Sequence, residues 1–202
     1  HLTGDAIEIA KKHNIRLEHL DYVQIHPTCL YSKKPGRSFL ISESARGEGA
    51  ILLNHKGERF VNELLPRDVV TKAIHEEMEK EGVDHEFISF ENVPEEIIKG
   101  HFPHIYEKCL EEGYDILKEP APIVPAQHYF MGGVHVDHDS ETTMPHLYAV
   151  GETSCNGVHG KNRLASNSLL ESLVFAKRAA QKIELTQKGK EEHESNYHAA
   201  CC

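Results

Sequence analysis

Two arginines and two histidines stand where their chemistry would be useful and where an ordinary surface would place something else. Arg67 follows Pro66, a residue well placed to begin a helix in which Val70, Ile74 and Met78 share a face. A cation in that first turn opposes the positive end of the helix macrodipole, at a cost of roughly 0.3–1 kcal/mol on an exposed site. Arg163 is predicted in the same kind of place, immediately before or within the first turn of a helix beginning near Ala165. An anion beside either would meet guanidinium donors and free backbone N–H groups together, the combination that suits carboxylate or phosphate. Either arginine alone is also compatible with a surface salt bridge. His26 and His128 each fall at a predicted strand end, before Pro27 and Tyr129, where open α/β proteins place ligands. With sixteen histidines in the chain, one such position is weak evidence. Joined to the two arginines, the pair would complete a site for a dianionic small acid.

A second constellation lies in "LYAVGETS" and "GVHGKNRLASNSLLES". A buried strand ending in Gly151 and Glu152 permits close backbone approach and offers a carboxylate to ligand hydroxyls. Ala165, Ser166, Asn167 and Ser168 then leave the mouth of the next helix unobstructed. A reduced flavin fits this description, because negative charge at its N1–C2=O edge is stabilised by a helix N-terminus. A tightly packed strand–helix junction without ligand uses the same residue types. Other motifs carry less. In "HVDHD", His135, Asp137, His138 and Asp139 alternate between faces and lack a completing thiol or histidine pair, so a polar hairpin tip is expected and no metal. Cys201 and Cys202 sit in a polar tail, and "RGEG" from Arg46 to Gly49 lacks the glycine and strand context of a phosphate loop.

The elements that must position these residues follow from periodicity and punctuation. Thr3 or Asp5 caps a first helix, "LDYVQIHPT" alternates like a strand, and "FLIS" and "AILLN" read as buried strands. Pro66 opens a helix that Gly82 stops; "HEFISFE" is a strand; "PEEIIKG" and "PHIYEKCLEEG" are short helices opened by proline and closed by glycine. The proline-rich Glu119 to Pro125 is read as an extended crossing and a domain boundary. "VHVD" and "HLYAVGE" are strands, Leu164 to Leu185 forms the last helix, and the remainder is a polar tail. The fold class is therefore mixed α/β.

With Lys plus Arg at 22 against 32 for Asp plus Glu, the net charge of −10 has the wrong sign for nucleic acid. No apolar run approaches the roughly 20 residues that span a bilayer. Five cysteines without C-x-x-C spacing favour a reducing cytoplasm over a disulfide framework. The chain opens at His1 and runs straight into helix-like residues, so it is expected to be part of something longer.

Four ordered blocks, "QIHPTCLY", "LISESARGEGAILLNHKGERFVNELLPRDVV", "PAQHYFMGGVHVD" and "LYAVGETSCNGVHGKNRLASNSLLESLVFA", closely resemble the flavoprotein family of succinate dehydrogenases, fumarate reductases and L-aspartate oxidases. The resemblance runs from Thr3 to Ile183 and is nearest the oxidase branch, through "HFPHIYEKCLEEGYDILKEPAPIVPAQHY", "RLASNSLLE" and the short "NELLPRDVV" connection. It implies a capping domain plus the C-terminal part of a Rossmann-like FAD-binding domain, with the active site at their interface. The corresponding division is residues 1–20 for the end of a first FAD-domain segment, 21–127 for the capping domain, 128–185 for the returning FAD-domain segment and 186–202 for the tail. His26, His128 and Arg163 would hold substrate carboxylates with help from Ser42 and Glu43, and Arg67 would be the acid–base arginine. Ser42 replaces a more frequent threonine and keeps its hydroxyl. Glu152 would meet ribityl or ribose hydroxyls, and Ser168 with Leu169 the isoalloxazine edge.

The implied reaction is FAD-dependent oxidation of L-aspartate to iminoaspartate with oxygen or fumarate as acceptor, opening NAD biosynthesis and delivering product to quinolinate synthase in the cytoplasm. Succinate oxidation or fumarate reduction at the same anion site is the alternative, and a non-catalytic module binding a dicarboxylate or a partner polypeptide is another. G-x-G-x-x-G is absent, as are an expected upstream acidic residue and the family's C-terminal helical domain, so this chain alone is expected to bind FAD poorly and not to turn over.

Overall fold

A computed structural model describes residues 3–34 and 36–200, without the side chains of 189–200; Cys201 and Cys202 lie outside the described residues. In chain order the elements are α1 (Asp5–Lys12), β1 (Leu17–Glu18), β2 (Val23–Leu30), α2 (Glu43–Gly47), β3 (Ile51–Leu53), α3 (Arg67–Glu81) and β4 (Glu86–Ser89). There follow α4 (Glu95–His101), α5 (Pro103–Glu111), β5 (Ala121–Phe130), β6 (Gly133–His135), a 3-10 turn (Gly151–Thr153), β7 (Ser154–Cys155) and α6 (Asn167–Ala200). The chain divides into two units, residues 1–24 with 129–202 and residues 25–128. The crossing points fall inside β2 and β5, after Gln24 and after His128, against the expected 20/21 and 127/128.

The 25–128 unit is built on the sheet order β2-β5-β4-β3, with β3–β4 and β4–β5 antiparallel. Its strands are rich in branched aliphatic residues that fit a pleated, covered surface. Leu30, Leu52, Ile88 and Ile123 join Val70 and Ile74 of α3, Ile98 of α4 and Cys109 of α5 in one buried cluster. The α3 boundaries follow from local chemistry: Pro66 occupies the N-cap with φ −51°, and Gly82 takes the left-handed conformation at φ 70°. The proline-rich run is not a free crossing. Ala121 to Pro125 lie in β5, where Pro122 is paired with Phe87 and its carbonyl accepts from the Tyr31 N–H at 2.9 Å. "FLIS" forms only the Cys29–Leu40 bridge, with Ile41 fully buried beyond it.

Glu86 is completely buried in β4, and among the described residues neither carboxylate oxygen has a hydrogen-bond partner. Burial raises its pKa to about 7, with Glu81 and Glu77 adding to the shift and His55 and Lys80 opposing it. The folded state therefore favours the protonated acid relative to an unfolded carboxyl near 4.5. This contribution is complete below the unfolded value and is lost as pH rises through about 7, which amounts to about 3 kcal/mol between pH 4.5 and pH 8. Urea midpoints at the two pH values should show a larger fall for the native chain than for Glu86→Gln; equal falls would remove Glu86 as the source.

In the other unit β6 lies between β1, antiparallel, and β7, parallel. Ala10, Ile15 and Val134 form its small buried cluster. "HLYAVGE" is not a strand: it makes one bridge, Tyr148 to Glu141, before the 3-10 turn. "HVDHD" makes the expected turn, in which Asp137 Oδ1 accepts from the N–H groups of Asp139 and Glu141, both at 2.9 Å. The expected polar tail continues α6 as helix to Ala200. Among the described residues no cluster of His, Cys, Asp and Glu could hold a metal, and no helix is long and apolar enough to cross a membrane.

Candidate active site

Within the 25–128 unit, one group of polar side chains gathers around β2. His26 is the fourth of eight residues in β2, not at its end as the sequence predicts, and is 1% exposed. Its Nδ1 accepts from the Thr28 N–H at 3.2 Å, which leaves the proton of the neutral ring on Nε2 as a donor. Burial first, then the charges of Arg67, His128 and Arg46, lowers its pKa to about 3. The ring is therefore an uncharged donor at neutral pH. His128, two residues from the end of β5, meets it edge to face with ring centroids 5.3 Å apart.

Arg67 is the first residue of α3, as expected, but its side chain is already engaged. Glu43 Oε2 accepts from Arg67 Nε at 2.8 Å and Nη2 at 2.6 Å. That carboxylate offsets the unfavourable cation at the helix start and fixes the guanidinium plane. Ser42 sets the position of Glu43: it N-caps α2, with its Oγ accepting from the Ser44 N–H at 3.3 Å.

Arg46, passed over in the sequence as part of a failed phosphate loop, is the residue that motif reasoning missed. It is 2% exposed, its Nη1 donates to the Glu63 carbonyl at 2.7 Å, and its Nη2 lies 3.9 Å from Glu43 Oε1. Among the described residues, Nε and Nη2 have no hydrogen-bond partner. Glu43 thus has one oxygen on Arg67 and the other facing Arg46. The available signal was the i, i+3 spacing of Glu43 and Arg46, which puts them on one face once a helix is assigned.

The other unit carries Arg163, Glu152, Ser168 and Leu169. Arg163 is not in the first turn of a helix: α6 starts at Asn167, and Ser166 before it has φ 64°. The arginine lies in the preceding irregular segment, yet it is 5% exposed. Glu152 is exposed in the 3-10 turn, and one of its oxygens accepts from the Phe130 N–H at 2.9 Å. Gly151, at φ 73°, lets the turn approach α6; a Cβ there would stand 3.4 Å from Ser172 Oγ. Ser168 lies in the first turn, and Leu169, Leu170 and Leu173 are exposed by 72%, 61% and 73%. A helix start with exposed apolar side chains, beside a carboxylate on a glycine turn, fits the ring edge and hydroxyl tail of a flavin. Neither Gln24 nor Tyr129, which touch Arg163, stands out in sequence.

The chain matches the FAD binding domain family over residues 1–169. It is 58% identical over 183 residues to an L-aspartate oxidase of Clostridium perfringens and 52% identical over 196 residues to that of Clostridium acetobutylicum. These alignments take in 90% and 96% of the chain but 42% and 45% of those proteins, so the chain spans less than half the length of these curated relatives. Among solved structures, a quinol-fumarate reductase with menaquinol molecules superposes with a TM-score of 0.82 at 36% identity, covering 89% of this chain and 35% of the other. A flavocytochrome c3 fumarate reductase in its open conformation gives 0.63 at 26% identity, covering 88% and 39%. The sequence match over most of the chain and the shared fold agree that this chain belongs to the FAD-binding flavoprotein family of L-aspartate oxidases, fumarate reductases and succinate dehydrogenases.

Proposed function

We propose that this chain supplies the dicarboxylate-binding residues of an FAD-dependent L-aspartate oxidase, which converts L-aspartate to iminoaspartate with oxygen or fumarate as acceptor. The observation that carries the reading is His26: a fully buried imidazole held neutral, with its Nε2–H as donor, beside His128 and the Arg67–Glu43 pair. A neutral donor flanked by guanidinium charge receives a carboxylate without a competing counter-ion on the ring. Relatives named L-aspartate oxidase, at 46–58% identity, direct the choice of substrate.

In this reading His26 and His128 are donors to a substrate carboxylate, and Arg163 is a carboxylate-binding residue. Ser42 holds Glu43 in place, and Glu43 holds the Arg67 guanidinium in one plane. Arg67 acts as a fixed positive charge and aligning group during oxidation. Bound FAD supplies the two-electron acceptor, with Glu152, Ser168 and Leu169 as the residues that would hold it. The same reading places the activity in the cytoplasm, at the first step of NAD biosynthesis, with quinolinate synthase receiving the unstable product. A second reading, succinate oxidation or fumarate reduction, is favoured by the likeness to the quinol-fumarate reductase.

The test is anaerobic flavin absorbance of the chain with FAD, alone and together with the part of the Clostridium perfringens relative that it does not match. Bleaching by L-aspartate but not succinate is expected in the combined sample. Bleaching by succinate alone would assign the second reading, and bound flavin that neither acid bleaches would overturn both in favour of a binding module.

A further inference from the structure

Arg163 belongs to an irregular segment, and such a segment does not by itself hold a long side chain in one place. It is nevertheless buried, and two side chains from distant parts of the sequence contact it. We propose that Gln24 and Tyr129 are positioning residues that lock Arg163 in a preorganised state for carboxylate capture, an inference that rests on the dicarboxylate reading above.

Gln24 acts on the backbone. It is 4% exposed, and its Nε2 donates to the Arg163 carbonyl at 2.7 Å and to Asn162 Oδ1 at 3.0 Å. An amide nitrogen carries two protons, so one side chain fastens both Arg163 and the residue before it. Tyr129 acts on the charged group. Its ring centroid lies 4.5 Å from Arg163 Cζ, well inside the range over which the face of a ring attracts a guanidinium. The ring is held in turn by His159, edge to face at 5.7 Å and 87°. The contacts restrain different parts of one residue: Gln24 holds the backbone at Arg163, while the Tyr129 ring restrains its fork of donors together with the Leu164 carbonyl, which accepts from Arg163 Nη1 at 3.1 Å.

The chemistry requires such support. Guanidinium binds carboxylate through two parallel N–H···O bonds, so a tilted or mobile fork loses one of them. An arginine ordered in advance also loses less side-chain entropy on binding. Gln24 stands two residues before His26 in β2, and Tyr129 directly follows His128 in β5, so the strands that carry the histidines also carry these supports.

The experiment is 15N NMR of arginine Nε–Hε groups in the full 202-residue chain, the Arg163 signal being assigned by its loss in Arg163→Lys. Succinate titration of the same samples accompanies it. The native signal should be rigid and displaced by the Tyr129 ring current. Gln24→Met should make it mobile, Tyr129→Leu should abolish the displacement, and Tyr129→Phe should preserve it. Succinate affinity should fall about tenfold in the first two variants and stay native in Tyr129→Phe, the loss expected when one hydrogen bond to a charged group is disordered. Should Gln24→Met fail to fold, Gln24→Glu keeps the shape while removing both donors. An Arg163 signal unchanged by the Gln24 and Tyr129→Leu variants overturns the proposal. If the signal moves as expected but succinate binds equally to native and Arg163→Lys chains, or to neither, the dicarboxylate reading fails and the positioning stands.

Discussion

Gly132→Ala is expected to unfold the unit that contains the β1-β6-β7 sheet. A Cβ at this position would stand 1.9 Å from the His19 carbonyl oxygen, 2.6 Å from its carbon and 2.9 Å from the Glu18 oxygen. All three are backbone atoms, so no side-chain rotation relieves the overlap. The chain on that side is also pinned, by the Leu17–Val134 and Glu18–Gly133 pairing and by the Met131 N–H to Tyr22 carbonyl bond at 2.9 Å. Moving it away would break the antiparallel pair, and a loss of about 4 kcal/mol or more follows from overpacking against an immovable neighbour. Gly57→Ala is the control: its φ of 75° is strained for alanine, but nothing lies within 4 Å. That variant should lose only about 1–2 kcal/mol. Denaturant midpoints followed by circular dichroism compare the two, and a Gly132→Ala chain as stable as Gly57→Ala would mean that the close approach does not exist in solution.

Arg163→Met is expected to separate function from stability. The substitution removes a buried cation that lies over the Tyr129 ring and leaves a side chain of similar length and good apolar fit. Replacing a buried charge by a hydrophobic residue of like volume is often close to neutral for folding. Binding should respond differently. Hydrogen bonds to charged groups contribute about 1.5–3 kcal/mol each, so losing a bidentate pair should weaken dicarboxylate binding about a hundredfold or more. Isothermal titration with succinate beside a thermal melt measures both quantities. Unchanged affinity would remove Arg163 from the substrate site, and a collapsed melt would make it a structural residue first.

Much of this protein is readable locally. Proline and glycine set the ends of α3 because each restricts or frees its own backbone angles whatever surrounds it. The family motifs are equally legible, since they are strings of residue types. Tertiary structure decided the rest. That His26 sits in mid-strand, neutral and donating from Nε2, depends on its burial and on charges from residues remote in sequence. That Arg67 is compensated depends on Glu43, 24 residues away, and that Arg163 is ordered depends on Gln24, 139 residues away. Sequence by itself determined the elements and the inventory of chemical groups, because propensity and residue type act over a few positions. Protonation, orientation and partnership were left to the fold, because they are set by desolvation and by distances of a few ångströms between residues that only folding brings together.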